Sequence, residues 1–175
     1  MLRRFRIWFL IILIAVPITG HSKECYDMVV PWCQYVQNGN FEQGGQYWTS
    51  SGVSFPNVYR CNYWTYVAQL QGTEYIEQTF YVDDTFSSFS VGYEAFLLGD
   101  TDNYYDELKI TVTNLSTNQT ELRRLRGSTF NSTCALQSWQ LSRNYSNVWV
   151  KVRFEAGQYT LGTWELDNIQ FSAIY

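Results

Sequence analysis

The stretch NVWVKVRFE, Asn147 to Glu155, alternates apolar and polar side chains with a period of two residues. Successive side chains of an extended chain point to opposite faces. One face of this stretch is therefore apolar and the other polar or aromatic: Val148, Val150, Val152 and Phe154 against Trp149, Lys151 and Arg153. The pattern predicts a β-strand with one face in a core and the other in solvent.

The same alternation recurs along the chain. It is strongest in YIEQTFYV (75–82), SFSVGYEAF (88–96) and DELKITVTN (106–114). Weaker candidates are Tyr66–Gln71, Thr120–Arg126, Gln137–Leu141 and Trp164–Ser172. Because Gly- and Asp-rich turn signals separate these runs, the sequence predicts an all-β, two-sheet antiparallel sandwich of about eight strands, each with one solvent-facing side.

The first 22 residues have a different character. Arg3, Arg4 and Arg6 precede an apolar run from Ile7 to Val16, and small residues follow. This order is typical of a secretory signal peptide, although an uncleaved membrane anchor is the alternative. We therefore expect an extracytoplasmic protein, secreted or anchored by this segment. Its expected organisation is residues 1–22 as signal or anchor, 23–37 as an irregular lead-in, and 38–175 as the β-sandwich domain.

The charge of the remaining chain limits its partners. Three of the twelve Lys and Arg residues lie in the first 22 residues, so the remainder carries nine against sixteen Asp and Glu, a net charge of −7. Such a surface repels phosphate backbones, which argues against nucleic acid as a partner. We expect contact with a membrane only through the N-terminal segment, if that segment is retained.

The four cysteines fit an oxidising compartment. Cys25, Cys33, Cys61 and Cys134 contain no C-x-x-C pair, which argues against a zinc site. Four cysteines allow three pairings, and the sequence does not decide among them. We favour a local Cys25–Cys33 disulfide and a long-range Cys61–Cys134 disulfide.

The sequence offers little for catalysis. His21 is the sole histidine and lies in the predicted signal, so Ser-His-Asp and Cys-His mechanisms lack a base within the domain. Glycoside hydrolysis needs only two carboxylates, but the acid-rich stretches, Asp83-Asp84 and Asp100 to Glu107, are more typical of solvated loops. We predict that the protein is not an enzyme.

Four motifs carry a family resemblance when taken in order. They are NGNFEQGGQYWTSSG (38–52), YIEQTFYV (75–82), SWQLSRNYSNVWVKVRFEAG (138–157) and WELDNIQFSAIY (164–175). Together they resemble jelly-roll carbohydrate-binding modules of the galactose-binding-like class. The resemblance implies a jelly roll of about eight strands without catalytic machinery. It also implies that the first and last strands lie side by side, often with a structural calcium ion there.

The residues at that junction suit calcium, which prefers oxygen ligands. On this resemblance Glu42 and Asp167 are the expected ligands, Asn40 or Asn168 adds a side-chain oxygen, and Phe41 is a core residue. The alternative is that Glu42 and Asp167 only cap loops or bind backbone amides.

A non-catalytic module would recognise its ligand through exposed rings, because sugars stack on flat aromatic faces. The candidates are Tyr104 and Tyr105 in a polar loop, Trp149 on the polar side of its strand, and Trp64. We therefore predict a glycan-binding domain. The alternative is a membrane-anchored structural or accessory subunit of an extracytoplasmic or membrane complex, whose sandwich packs against partner proteins.

Overall fold

The computed structural model describes residues 23–26, 32–83, 85–99, 105–130, 132 and 134–175. The predicted signal or anchor lies outside these residues, and so does Tyr104. The described residues form thirteen strands and one short 3-10 helix, Gly127–Thr129. No helix among them is long and apolar enough to cross a membrane.

Most strands belong to two antiparallel sheets. In spatial order, the first sheet contains β1 (Glu24–Tyr26), β2 (Trp32–Gln34), β13 (Thr163–Ile174), β8 (Ser88–Leu98) and β11 (Gln137–Gln140), and β6 (Ala68–Leu70) also pairs with β13. The second contains β10 (Gln119–Arg126), β9 (Glu107–Asn114), β12 (Val148–Ala156), β7 (Tyr75–Val82) and β3 (Thr49–Ser51). A separate hairpin consists of β4 (Asn57–Arg60) and β5 (Tyr63–Tyr66).

The predicted all-β sandwich is therefore confirmed, with strand β7 at the residues that the alternation indicated. Six strands have eight or more residues, and the other seven have only three or four. These short strands explain why the sequence predicted about eight. Two of them, β1 and β2, lie in the lead-in that was expected to be irregular, and β2 pairs with the C-terminal end of β13.

The core lies between the two sheets. Its fully buried side chains include Trp164 and Phe171 from β13, Phe80 from β7 and Phe154 from β12. Burial of a large aromatic or aliphatic side chain stabilises the fold by about 1.5–3 kcal/mol. Alternation places these residues inward, as the sequence predicted.

Strands β8 and β13 depart from the expectation of one solvent-facing side. Each contains a stretch that is buried on both faces, residues 91–97 in β8 and residues 164–167 in β13. The reason is the β4–β5 hairpin, which crosses the outer side of the six-stranded sheet and contacts Glu94, Glu165 and Asp167. Period-two patterns identify strands but do not show that a third layer will cover them.

Two disulfides are formed, and they are the favoured pairs. Cys25 is joined to Cys33 across β1 and β2, and Cys61 is joined to Cys134. Cys61 lies in the two-residue turn of the β4–β5 hairpin, beside Asn62. The second disulfide therefore ties the tip of the hairpin to the segment before β11.

The two ends of the sandwich domain meet. Phe41 and Ile169 are both fully buried in the same core cluster, and the N–H of Ile169 donates to the carbonyl of Gly39 (3.0 Å). The arrangement agrees with the expectation that the beginning of the domain lies against its last strand.

Candidate functional site

The side of the five-stranded sheet that faces away from the core carries an aromatic pair at one end. We call this side the outer face. Trp149 on β12 lies directly across from Tyr81 on β7, with ring centroids 5.5 Å apart. Trp149 is 42% exposed and Tyr81 is similarly exposed. Two central strands thus present two rings to solvent from fixed backbone positions.

A second aromatic pair lies at the opposite end of this sheet. The rings of Tyr105 and Tyr159 are 6.3 Å apart, and Tyr105 is 63% exposed. Both line a cavity of about 550 Å³ together with Leu161. They also line a smaller cavity, of about 260 Å³, with side chains of the sheet edge that include Lys109 and Arg126. The second cavity connects this pair with the outer face.

Charged side chains occupy the outer face between the two aromatic pairs. Arg153 lies 3.5 Å from the ring centroid of Tyr75 and contacts Glu77 (3.0 Å) and Glu155 (2.6 Å). Lys151 is 3.7 Å from Glu77. Cation–π contacts and ion pairs of this kind hold the side chains in place but leave them partly in solvent.

Glu107 is the acid at the Tyr105 end. Arg124 donates to both of its carboxylate oxygens (2.9 and 3.0 Å), while the Lys109 ammonium lies 3.9 Å away. Cross-strand register explains this cluster, because Arg124 pairs with Lys109 and Arg126 pairs with Glu107.

A third aromatic pair belongs to the hairpin. Tyr59 and Trp64 are cross-strand partners, their rings are 5.6 Å apart, and Trp64 is 69% exposed. This pair lies over the six-stranded sheet and is therefore on the opposite side of the sandwich from Trp149.

Beneath the hairpin three carboxylates are buried. Glu165 accepts from the Arg60 guanidinium (2.7 and 3.1 Å) and from Gln69 (2.9 Å), so its charge is paired. Asp167 accepts from the Thr65 hydroxyl and from the backbone N–H of Asn168, both at 2.7 Å.

The pKa of Asp167 is raised to about 6. Burial is the main cause of the rise, and the negative charges of Glu94 and Glu42 raise the pKa further. The two hydrogen bonds favour the ionised form and lower the pKa, but they do not outweigh burial. Glu94 itself accepts from the side-chain amide of Asn168 (3.0 Å). A cation at this position would offset the accumulated negative charge.

The predicted calcium ligands are therefore partly brought together. Glu42 is exposed but close enough to act on Asp167, and Asn40 lines a polar cavity of about 560 Å³ beside Asn168. Within the described ranges no group of three or more His, Cys, Asp or Glu side chains is placed to hold a metal. The oxygen chemistry fits calcium, but backbone carbonyls would have to complete the site.

Of the predicted ligand-binding residues, Tyr105, Trp149 and Trp64 are exposed. Each has an aromatic partner that the sequence did not identify: Tyr159, Tyr81 and Tyr59 respectively. Alternation alone puts Tyr81 on the solvent side of β7. Its pairing with Trp149 depends on β12 lying beside β7, which is tertiary information.

The chain is similar to known proteins in structure but not in sequence. No protein-family model matches the chain, and no curated protein matches it in sequence. The structure is similar to TmCBM61 solved in complex with β-1,4-galactotriose (TM-score 0.56, 13% identity, 79% of this chain and 97% of the other). It is also similar to the enzymatically active domain of tailspike protein 4 of bacteriophage CBA120 (TM-score 0.56, 14% identity, 81% of this chain).

This chain spans only 21% of the tailspike chain. It is also similar to an exo-β-agarase (TM-score 0.50, 13% identity, 75% of this chain), of which it spans 24%. TmCBM61, by contrast, is matched over nearly its whole length. The protein thus has the jelly-roll fold of carbohydrate-binding modules, as the four sequence motifs indicated.

Proposed function

We propose that the protein is a non-catalytic, extracellular glycan-binding domain, and that the outer face of the five-stranded sheet is its binding surface. The observation that carries the proposal is the exposed Trp149–Tyr81 pair on two central strands. The likeness of the fold to carbohydrate-binding modules supports glycan binding over the alternative of a structural subunit.

The physical basis is the complementarity of sugars and rings. The C–H side of a sugar is apolar and stacks on an aromatic face, while its hydroxyls bond to nearby polar side chains. Trp149 and Tyr81 supply two such faces, and Lys151 lies two residues along the same strand. Because strands hold both rings, little conformational entropy is lost on binding.

The hairpin pair, Tyr59 and Trp64, is a second candidate platform. It lies on the other side of the sandwich and next to buried rather than exposed charges. For this reason we assign the principal surface to Trp149, and treat Trp64 as an independent site to be tested in parallel.

The test is a glycan array followed by titration calorimetry, starting with β-1,4-galactotriose because TmCBM61 was solved with it. We expect Trp149→Ala to weaken binding at least about fivefold, since loss of a stacked ring removes on the order of 1–3 kcal/mol. Tyr47→Ala is the matched control, because Tyr47 is an exposed ring outside all three pairs. A blank array, or equal losses in both variants, would overturn the proposal.

The absence of catalysis is part of the proposal. In support, Glu94, Glu165 and Asp167 are buried beneath the hairpin, where a polysaccharide would not reach them. Incubation with a panel of polysaccharides should release no reducing ends. Release that depends on these carboxylates would show that the hairpin opens onto an active site.

A structural calcium ion is also proposed, held by Glu42 and Asp167 with Asn40 and backbone carbonyls. The support is the negative charge gathered around buried Asp167. An ion there would stabilise the junction of the two chain ends and would not contact the ligand.

The extracellular setting is supported by the two disulfides, which are typical of oxidising compartments. Whether residues 1–22 are removed is tested by intact mass of the native protein. We expect a chain that begins near Lys23.

A further inference from the structure

The charge of the outer face differs from that of the rest of the molecule. Strands β7, β9, β10 and β12 bring five cationic and three anionic side chains to this face: Lys109, Arg124, Arg126, Lys151 and Arg153 against Glu77, Glu107 and Glu155. The formal sum is +2. The other residues that the structure describes include four Lys or Arg and nine Asp or Glu, a sum of −5.

This asymmetry results from strand register. Lys109 on β9 lies between Arg124 on β10 and Glu155 on β12, and Arg153 lies between Thr111 and Glu77. Like charges on adjacent strands are destabilising unless something compensates for them. Here three carboxylates do so only in part, which leaves the cations in excess.

The ion pairs that the two lysines form on the outer face are long. The Lys109 and Lys151 ammonium groups lie 3.9 and 3.7 Å from their nearest carboxylate oxygens, beyond hydrogen-bonding distance. Each ammonium has three N–H donors. Both lysines are partly exposed and can turn toward a ligand with little loss of internal contact.

The cations lie between the two aromatic pairs. Trp149 and Glu155 are six residues apart on β12, which corresponds to roughly 20 Å along an extended strand. Beyond Glu155 the smaller cavity is lined by Lys109, Arg126, Tyr105 and Tyr159. A chain lying along the face would meet rings at both ends and positive charge between them.

We propose that the glycan recognised on this face is a negatively charged polysaccharide bearing carboxylate or sulfate groups. This inference rests on the proposed function and specifies its ligand class. Sugar rings stack on Trp149–Tyr81 and Tyr105–Tyr159, while the anionic groups bind the lysines and arginines between them. The net negative charge elsewhere does not prevent this, because it is screened over about 8 Å at physiological ionic strength and the second sheet lies about 10 Å behind.

The experiment compares polygalacturonate, chondroitin sulfate and neutral β-1,4-galactan as ligands for the whole protein. We expect the anionic polymers to bind more tightly than the neutral one. Raising NaCl from 50 to 300 mM should weaken only the anionic complexes. The double variant Lys109→Gln/Lys151→Gln should lose at least about tenfold in affinity for them.

Matched variants make the test specific. Arg143→Gln removes an exposed cation away from this face and should leave affinity unchanged. Trp149→Ala should weaken the binding of all the glycans. The lysine variant should weaken the binding of the anionic polymers far more than that of neutral galactan, because Gln keeps N–H donors for a hydroxyl but carries no charge. Polyglutamate and duplex DNA serve as anionic polymers that lack this stacking arrangement, and we expect both to bind much more weakly.

The outcomes separate the two proposals. Trp149-dependent binding of neutral galactan, with no preference for the anionic polymers, would overturn the charged-ligand inference and leave glycan binding intact. Failure of every polysaccharide to bind would overturn both. Equal affinity for polyglutamate or DNA would show non-specific attraction of charge and would also overturn the inference.

Discussion

Gly39 and Ile169 join the two ends of the sandwich domain through direct contact of their backbones. The Ile169 N–H donates to the Gly39 carbonyl, and a Cβ on Gly39 would overlap the carbonyl oxygen of Ile169. The approach is so close that glycine alone fits at position 39. It sets Phe41 in the core and Glu42 at the surface, beside Asp167.

Gly39→Ala should therefore destabilise the fold, by about 1–3 kcal/mol as other overpacking substitutions do. Urea unfolding measures the change. Gly92→Ala is the matched control, because a Cβ at Gly92 would meet its neighbours at 3.5 Å or more. An equal loss in both variants would show that the contact with Ile169 is not the cause.

Removal of the Cys61–Cys134 disulfide should cost about 4 kcal/mol. The two cysteines are 73 residues apart, and the entropy that a cross-link removes from the unfolded chain grows with the length of the loop. The double variant Cys61→Ala/Cys134→Ala, compared with the parent in urea, measures it. A change below about 1 kcal/mol would mean that the hairpin stays in place without the covalent link.

Asp167→Asn tests the calcium proposal at pH 7.5. With a chelator present we expect the variant to be more stable than the parent, because burial and the charges of Glu94 and Glu42 disfavour the ionised carboxylate. With 1 mM calcium the order should reverse, since an ion bound only to the folded parent stabilises it by mass action.

Thermal melting of both proteins in each buffer gives the result. A parent whose melting midpoint is the same with calcium and with chelator would remove Glu42, Asn40 and Asp167 from any metal site.

Glu121 provides a pH-dependent contribution to stability. Burial alone would raise its pKa, but hydrogen bonds from Ser142, from the Arg143 N–H and from the Tyr145 hydroxyl outweigh burial and hold the pKa below its ordinary value. The ionised form therefore stabilises the fold above the unfolded-state pKa of about 4.3. This contribution is lost as pH falls through the lower pKa of the folded state.

Glu121→Gln should cost about 1–2 kcal/mol at pH 7, and the difference from the parent should shrink toward pH 3. Glu74→Gln is the control, because among the described residues the Glu74 carboxylate accepts a single hydrogen bond, from the Gln71 N–H (2.8 Å). A constant difference from pH 7 to pH 3 would contradict the role assigned to the Glu121 charge.

The local sequence pattern was sufficient to predict the long strands and the two-sheet sandwich that they form. The alternation in 75–82 and 147–155 predicts β7 and β12 because each has one face in a continuous core. The same reasoning failed for Glu94, which the alternation placed on the solvent-facing side of its strand, and it did not indicate that Asp167 would be buried. They are buried because residues 57–66 fold over them. The alternation within β8 and β13 gives no information about this contact, because the covering residues are distant in sequence.

Some exposed rings of the candidate site could be predicted individually from the sequence, but neither their aromatic partners nor the surface that they form could be. Trp149 could be assigned to the polar side of its strand from sequence. The excess of cations around it arises from three neighbouring strands whose order is set by long-range pairing. The net negative charge of the whole chain suggested a negatively charged surface instead.

The most direct test of the account is an NMR titration that follows the indole N–H signals of the six tryptophans in residues 23–175. With β-1,4-galactotriose or an oligogalacturonate added, we expect the Trp149 signal to shift and the signal of fully buried Trp164 to stay in place. Saturable binding that moves Trp64 alone, or leaves Trp149 unmoved, would contradict the assignment of ligand binding to the outer face.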